Sequence, residues 1–283
     1  LENGAAVNAQ ANNGFSALML SCQDGHDQVA RVMLENGAAV NAQTNDGFSA
    51  LMLSCQNGHD LCARELLKAG AAVDYMAENG PTALMLACQN GHDLCARVLL
   101  ENHAAVDATE ENGWTALMFC CQNGHEQAAR ALLENGANVN YAASNNVTAL
   151  MRAAKYGHGQ CARALLRAGA SLEPKTVRGT TALMFAAAHP PCAKLLRCYA
   201  RLRRWRDAVR ARPYLVHWMD DHARRVYGPG TAAARYGPLV DAGKDAEAEA
   251  LLLAEYAAQL ERLLKRTRAD ADAAMDGARK VAR

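Results

Sequence analysis

Aromatic residues make up only 5% of the 283-residue chain, its formal net charge is +1, and long apolar runs are lacking. Few rings argue against a sheet sandwich with aromatic layers and, with Ala, Leu and Gly prominent, favour helices packed through small side chains. The best short apolar run, around 181–188, has the length of a core helix and falls well below the eighteen or so residues of a membrane span. With 51% of residues apolar and charge almost balanced, disorder of the whole chain is not expected.

Ten cysteines are too sparse for a disulfide scaffold, and no secretory signal opens the chain, so a reducing compartment, cytoplasmic or nuclear, is expected. The first residue is Leu1 rather than Met. It opens a phrase, Glu2-Asn3-Gly4-Ala5-Ala6-Val7-Asn8, that recurs downstream, which reads as a start in mid-repeat and leaves any upstream targeting segment open.

What the sequence does contain is periodicity. Gly14, Gly47, Gly80, Gly113 and Gly179 fall on one 33-residue ladder, with Asn146 on the remaining rung. A second ladder holds Gly25-His26, Gly58-His59, Gly91-His92, Gly124-His125 and Gly157-His158. A third holds Gly37, Gly70, Gly136 and Gly169, with His103 as its exception. Within one unit, 82–89 predicts a short helix with Thr82 as N-cap, closed at Asn90-Gly91. A second helix over 93–102 carries Leu94, Val98 and Leu99 at helical spacing, and 104–112 leads to a turn at Asn112-Gly113.

Gly-x-Thr-Ala-Leu-Met, then Gly-His, then Ala-Arg-x-Leu-Leu, then Gly-Ala-x-Val-Asn resembles the ankyrin repeat. The resemblance covers residues 1–196: a partial leading unit, five full units from about Ala11, Thr44, Ala77, Glu110 and Ala143, and a shortened sixth from about Thr176. It implies an all-α solenoid of helix-turn-helix-finger units. One such unit cannot bury its apolar face, so neighbours must stack into a continuous core with an elongated concave surface. The chain departs from the family's Thr-Pro-Leu-His opening, since Met19, Met52, Met85, Met118, Met151 and Met184 stand at the histidine's place. Methionine can fill the position, but the usual histidine bonds are lost and a softer stack is expected.

The Gly-His pairs, three of them followed by Asp27, Asp60 and Asp93, raise the question of metal or acid-base chemistry. Adjacent helical residues point in different directions, however, and recurrence in unit after unit reads as an inter-helix turn. Cysteines also form ladders, at Cys22, Cys55, Cys88 and Cys121 in the first helix and Cys62, Cys95 and Cys161 in the second. Equivalent positions in stacked units lie about 10 Å apart, beyond the reach of a disulfide or a shared metal, so these are read as small core residues. No nucleophile elbow, phosphate loop, Cys-x-x-Cys or His-Glu-x-x-His motif is present. The sequence predicts a monomeric binding protein without cofactor or metal, not an enzyme.

Ankyrin-like proteins recognise protein partners with the finger tips and the exposed face of the first helices. Carried over by position, this gives Asn13 and Phe15, Asp46 and Phe48, Asn79, Glu111 and Trp114, and Arg178. Phe15, Phe48 and Trp114 share one rung, where an exposed ring would serve as an anchor and a packed one would brace the next finger. On the first helices the polar pair is nearly invariant, Gln23-Asp24, Gln56-Asn57, Gln89-Asn90 and Gln122-Asn123, until Lys155-Tyr156 replaces it. Specificity is therefore expected in the later units.

The sixth unit breaks off at Ala188-His189-Pro190-Pro191, two residues short and without its Gly-His, before a helix resumes at Cys192. A basic extension over 197–227 follows, with Arg201, Arg203, Arg204, Arg206 and Arg210 near Trp205, Tyr214 and Trp218. It reads as a solvated cap, with nucleic acid or acidic lipid as the competing ligand class. A ubiquitin-ligase adaptor is a further alternative, although Leu196, Cys198 and Leu202 do not fit the spacing of a recruiting box. Residues 228–283 read as a helical hairpin and tail.

Overall fold

The computed structural model describes residues 6–76 and 80–210, the segment 201–210 by its backbone. The repeats fall in one unit of the structure, Leu1–Leu196. First helices are α1 (Ala17–Gln23), α3 (Ala50–Asn57), α5 (Ala83–Asn90), α7 (Ala116–Asn123), α9 (Ala149–Tyr156) and the short α11 (Ala182–Phe185). Second helices are α2 (Asp27–Glu35), α4 (Asp60–Lys68), α6 (Asp93–Glu101), α8 (Glu126–Glu134) and α10 (Gly159–Arg167), and α12 (Pro190–Arg210) follows a single 3₁₀ turn. Each first helix packs on the next, as does each second helix, so the repeats form two layers. Among the described residues no strand forms; isolated antiparallel bridges such as Gln43 to Ser49 and Ala142 to Thr148 pinch the fingers.

Local chemistry sets these boundaries. Ser16, Ser49, Thr82, Thr148 and Thr181 each accept a hydrogen bond from the backbone N–H of the methionine three residues on, capping the first helix. Those methionines fill the histidine's place as expected: Met19, Met52, Met85, Met118 and Met151 are 1% exposed, whereas Met184, in the last unit, is 61% exposed. The second helix predicted over 93–102 ends one residue earlier, with Asn102 as its C-cap.

The glycine ladders mark left-handed backbone. At the two rungs without glycine, His103 and Asn146 adopt φ +62°, the only positive values at non-glycine positions among the described residues. The Gly-His ladder is an inter-unit joint. A Cβ on Gly91 would collide with the His125 ring, and the His125 Nε2 lies 3.2 Å from the Gln89 carbonyl, to which it donates. His92 and His158 reach Gln56 and Gln122 in the same way, at 3.0 and 2.9 Å.

The sixth unit keeps this joint despite its lost residues. His189 packs on Gly157 and its Nε2 lies 2.9 Å from the Lys155 carbonyl, so it stands in for the expected pair. Its helix resumes at Pro190 rather than Cys192; proline fits there because first-turn N–H groups have no helical acceptor.

The cysteines require a correction. All nine from Cys22 to Cys192 are buried free thiols, as small core residues would be. Yet thiols of the two ladders meet across neighbouring units, Cys22 with Cys62, Cys55 with Cys95 and Cys121 with Cys161. Contact with Cys95, then burial, pushes the Cys55 thiol well above its ordinary range, and Cys161 and burial do the same to Cys121. Equivalent positions stay apart, but a first helix also faces the next unit's second helix, which brings these non-equivalent thiols together.

Candidate partner-binding groove

The predicted finger residues are placed in two ways. Asn13, Asp46, Glu111 and Arg178 are exposed at the tips, whereas Phe15, Phe48 and Trp114 are half-buried. The rings are therefore walls rather than free anchors. Asn79 lies outside the described residues, as do the side chains of Arg201, Arg203, Arg204, Arg206 and Arg210.

Hydrogen bonds tie finger to finger. The Asn45 N–H donates to the Asn13 carbonyl at 3.1 Å and the Asn45 side chain to the Asn12 carbonyl at 2.9 Å. The Ser144 hydroxyl donates to the Asn112 carbonyl at 3.0 Å, and the Val177 N–H to that of Asn145 at 3.3 Å. Behind them runs a series that sequence reasoning missed. Asn8, Asn41, Asp74, Asp107 and Asn140 each accept, through a side-chain oxygen, the backbone N–H found 31 residues on. The signal was an Asn or Asp on five successive rungs of a 33-residue ladder.

Four cues converge in the later units. Trp114 lies 5.1 Å from Phe119, ring centroid to centroid, and the Arg152 guanidinium sits 3.9 Å over its ring. The Lys155 ammonium lies 5.3 Å from the Tyr156 ring, which is 42% exposed and stacks on His158. Arg152, Lys155 and Arg178 line one groove of about 410 Å³, bounded by α9, α11 and the fingers of units five and six. Its apolar floor is Val147, Met151 and Phe185, and no carboxylate lines it.

Arg152 is the residue sequence reasoning did not select. On its rung the earlier units carry Leu20, Leu53, Leu86 and Phe119, so a cation there was the available signal. Burial lowers the guanidinium's hold on its proton, partly offset by the nearby Tyr156, and its Nε is buried with no hydrogen-bond partner. Several cations of the second helices are paired instead, Arg31 with Glu65 at 3.2 Å and Arg64 with Glu101 at 3.3 Å.

A stack of helix pairs joined by histidines, Asx side chains and fingers defines an all-α repeat solenoid. An ankyrin-repeat model matches residues 1–77, 62–143 and 141–203, so the chain belongs to the ankyrin-repeat family. The crystal structure of the human ASB11 ankyrin repeat domain is similar, with a TM-score of 0.66 and 29% identity over 70% of this chain and 89% of that one. No curated protein matches. No described helix is long and apolar enough to cross a membrane.

Proposed function

We propose that this chain is a non-catalytic interaction scaffold that binds a protein partner along its fingers and first helices, with selectivity concentrated in units four to six. Ankyrin repeats generally mediate protein–protein interaction, and the stacking of these units orders a long surface before any partner arrives. One groove lined by Arg152, Lys155 and Arg178, with Trp114 stacked against Arg152 and Tyr156 against Lys155, carries the reading, because this is where the polar pattern repeated in earlier units changes. Rings and arginines at the centre of such a surface are the side chains that most often dominate binding energy.

The test is affinity capture from cell extract, followed by mass spectrometry, with the full chain and a Trp114→Ala, Tyr156→Ala double variant. Loss of specific partners from the variant supports the reading. A variant that retains every partner at the wild-type level overturns it.

A further inference from the structure

We propose that the groove between α9, α11 and the last two fingers receives an acidic segment of a protein partner, a short peptide whose Asp or Glu side chains flank an apolar residue. This deepens the scaffold reading and rests on it.

The first observation is charge. Arg152, Lys155 and Arg178 line the groove and no carboxylate does, whereas Arg31, Arg64, Lys68 and Arg130 on the second helices are each ion-paired. Three cations brought to one concave site without a counter-charge repel one another, and an anionic ligand relieves this more effectively there than on open surface.

The second is how Arg152 is held. The guanidinium stacks on Trp114 and is drawn from water along its Nε. A planar fork fixed by stacking has already lost most of its rotamer freedom, so pairing with a carboxylate costs little further ordering. The desolvation is already incurred as well, and an arriving carboxylate offsets it.

The third is the floor. Val147 and Met151 are buried and Phe185 half-buried beneath the cations. A volume of about 410 Å³ accommodates one large apolar side chain with its neighbours. A long polyanion fits less well along the fingers, because toward the earlier units it would meet Glu110, Glu111 and Asp46, where like charge repels it.

The experiment selects a random peptide display library on the full chain, then measures labelled winning peptides by fluorescence anisotropy. Enriched peptides are expected to carry Asp or Glu beside an apolar residue. Replacing those acids by Asn and Gln should weaken binding by about tenfold or more, as should Arg152→Gln, Lys155→Gln, Arg178→Gln in the protein. Lys155→Gln, Arg178→Gln alone, at two exposed positions, gives a smaller loss without touching the Trp114 stack.

An empty selection, winners without acidic bias, indifference to the charge-neutral variants, or displacement of the peptide by a single-stranded oligonucleotide of equal charge would each overturn the proposal. Neutral winners that Trp114→Ala, Tyr156→Ala abolishes would sink only the acidic partner and leave the scaffold reading standing. Winners insensitive to both sets of substitutions would sink both.

Discussion

Arg152 occupies a rung that its sister units fill with leucine or phenylalanine, and its half-buried charge has an aromatic face but no carboxylate. Such a residue burdens stability while equipping a surface, the usual balance at a binding site. Arg152→Leu restores the rung and removes an unsatisfied buried donor, against the loss of one cation–π contact. We expect it to stabilise the fold by about 1 kcal/mol in urea unfolding and to weaken partner capture in the same preparation. Destabilisation with capture intact would show the arginine to be structural. At His103 and Asn146 the left-handed backbone suits glycine better than any side chain. His103→Gly should add about 0.5 kcal/mol, the relieved strain being partly offset by the freer unfolded chain, whereas Asn146→Gly should add nothing, because it also deletes the bond from the Asn146 side chain to the Lys175 carbonyl. An unchanged melting temperature for His103→Gly would count against that account.

Between elements, what matters is how one unit is fastened to the next. Asn41 donates to the Gly70 carbonyl and accepts from the Ala72 N–H, bridging the first and second units. Asn41→Ala should cost about 1–2 kcal/mol by urea unfolding, since two backbone groups lose their partner at a partly exposed site. On the second helices, Lys68 and then Arg31 hold the Glu65 carboxyl below its ordinary range. A depressed folded-state value means this contribution is complete above the unfolded carboxylate range and is lost as pH falls through the folded value. Because solvent screens the network, it amounts to about 0.5 kcal/mol. Urea titrations of wild type and Glu65→Gln should therefore differ at neutral pH and converge in acid. A gap that persists in acid would assign the effect to packing.

At the scale of the molecule, the solenoid was legible because each unit repeats the same physical demands: a hydroxyl cap, a left-handed glycine and a small core residue. Even the exceptions were readable, as Asn146 and His103 keep the glycine conformation. The groove was only partly legible. Lys155, Tyr156, Trp114 and Arg178 stood out as departures from the repeat, but Arg152 lies beneath them, and its importance comes from a ring 38 positions earlier in the chain. The thiol pairs were hidden for a similar reason, since they join two ladders that the repeat period never places side by side. His189 was masked by a two-residue deletion, although the joint it makes is unchanged. Periodicity reveals equivalent positions; contacts between non-equivalent ones emerge only from the stack.

The central claim is that the groove of units four to six is the partner-binding face. Hydrogen–deuterium exchange of the full chain, alone and with a captured partner or selected peptide, tests it most directly. Ordering a ligand there should protect the backbone of 144–156 and 176–185, and leave α2 and α4 exchanging as in the free chain. Protection confined to the second helices, or to the chain beyond Leu196, would contradict the account.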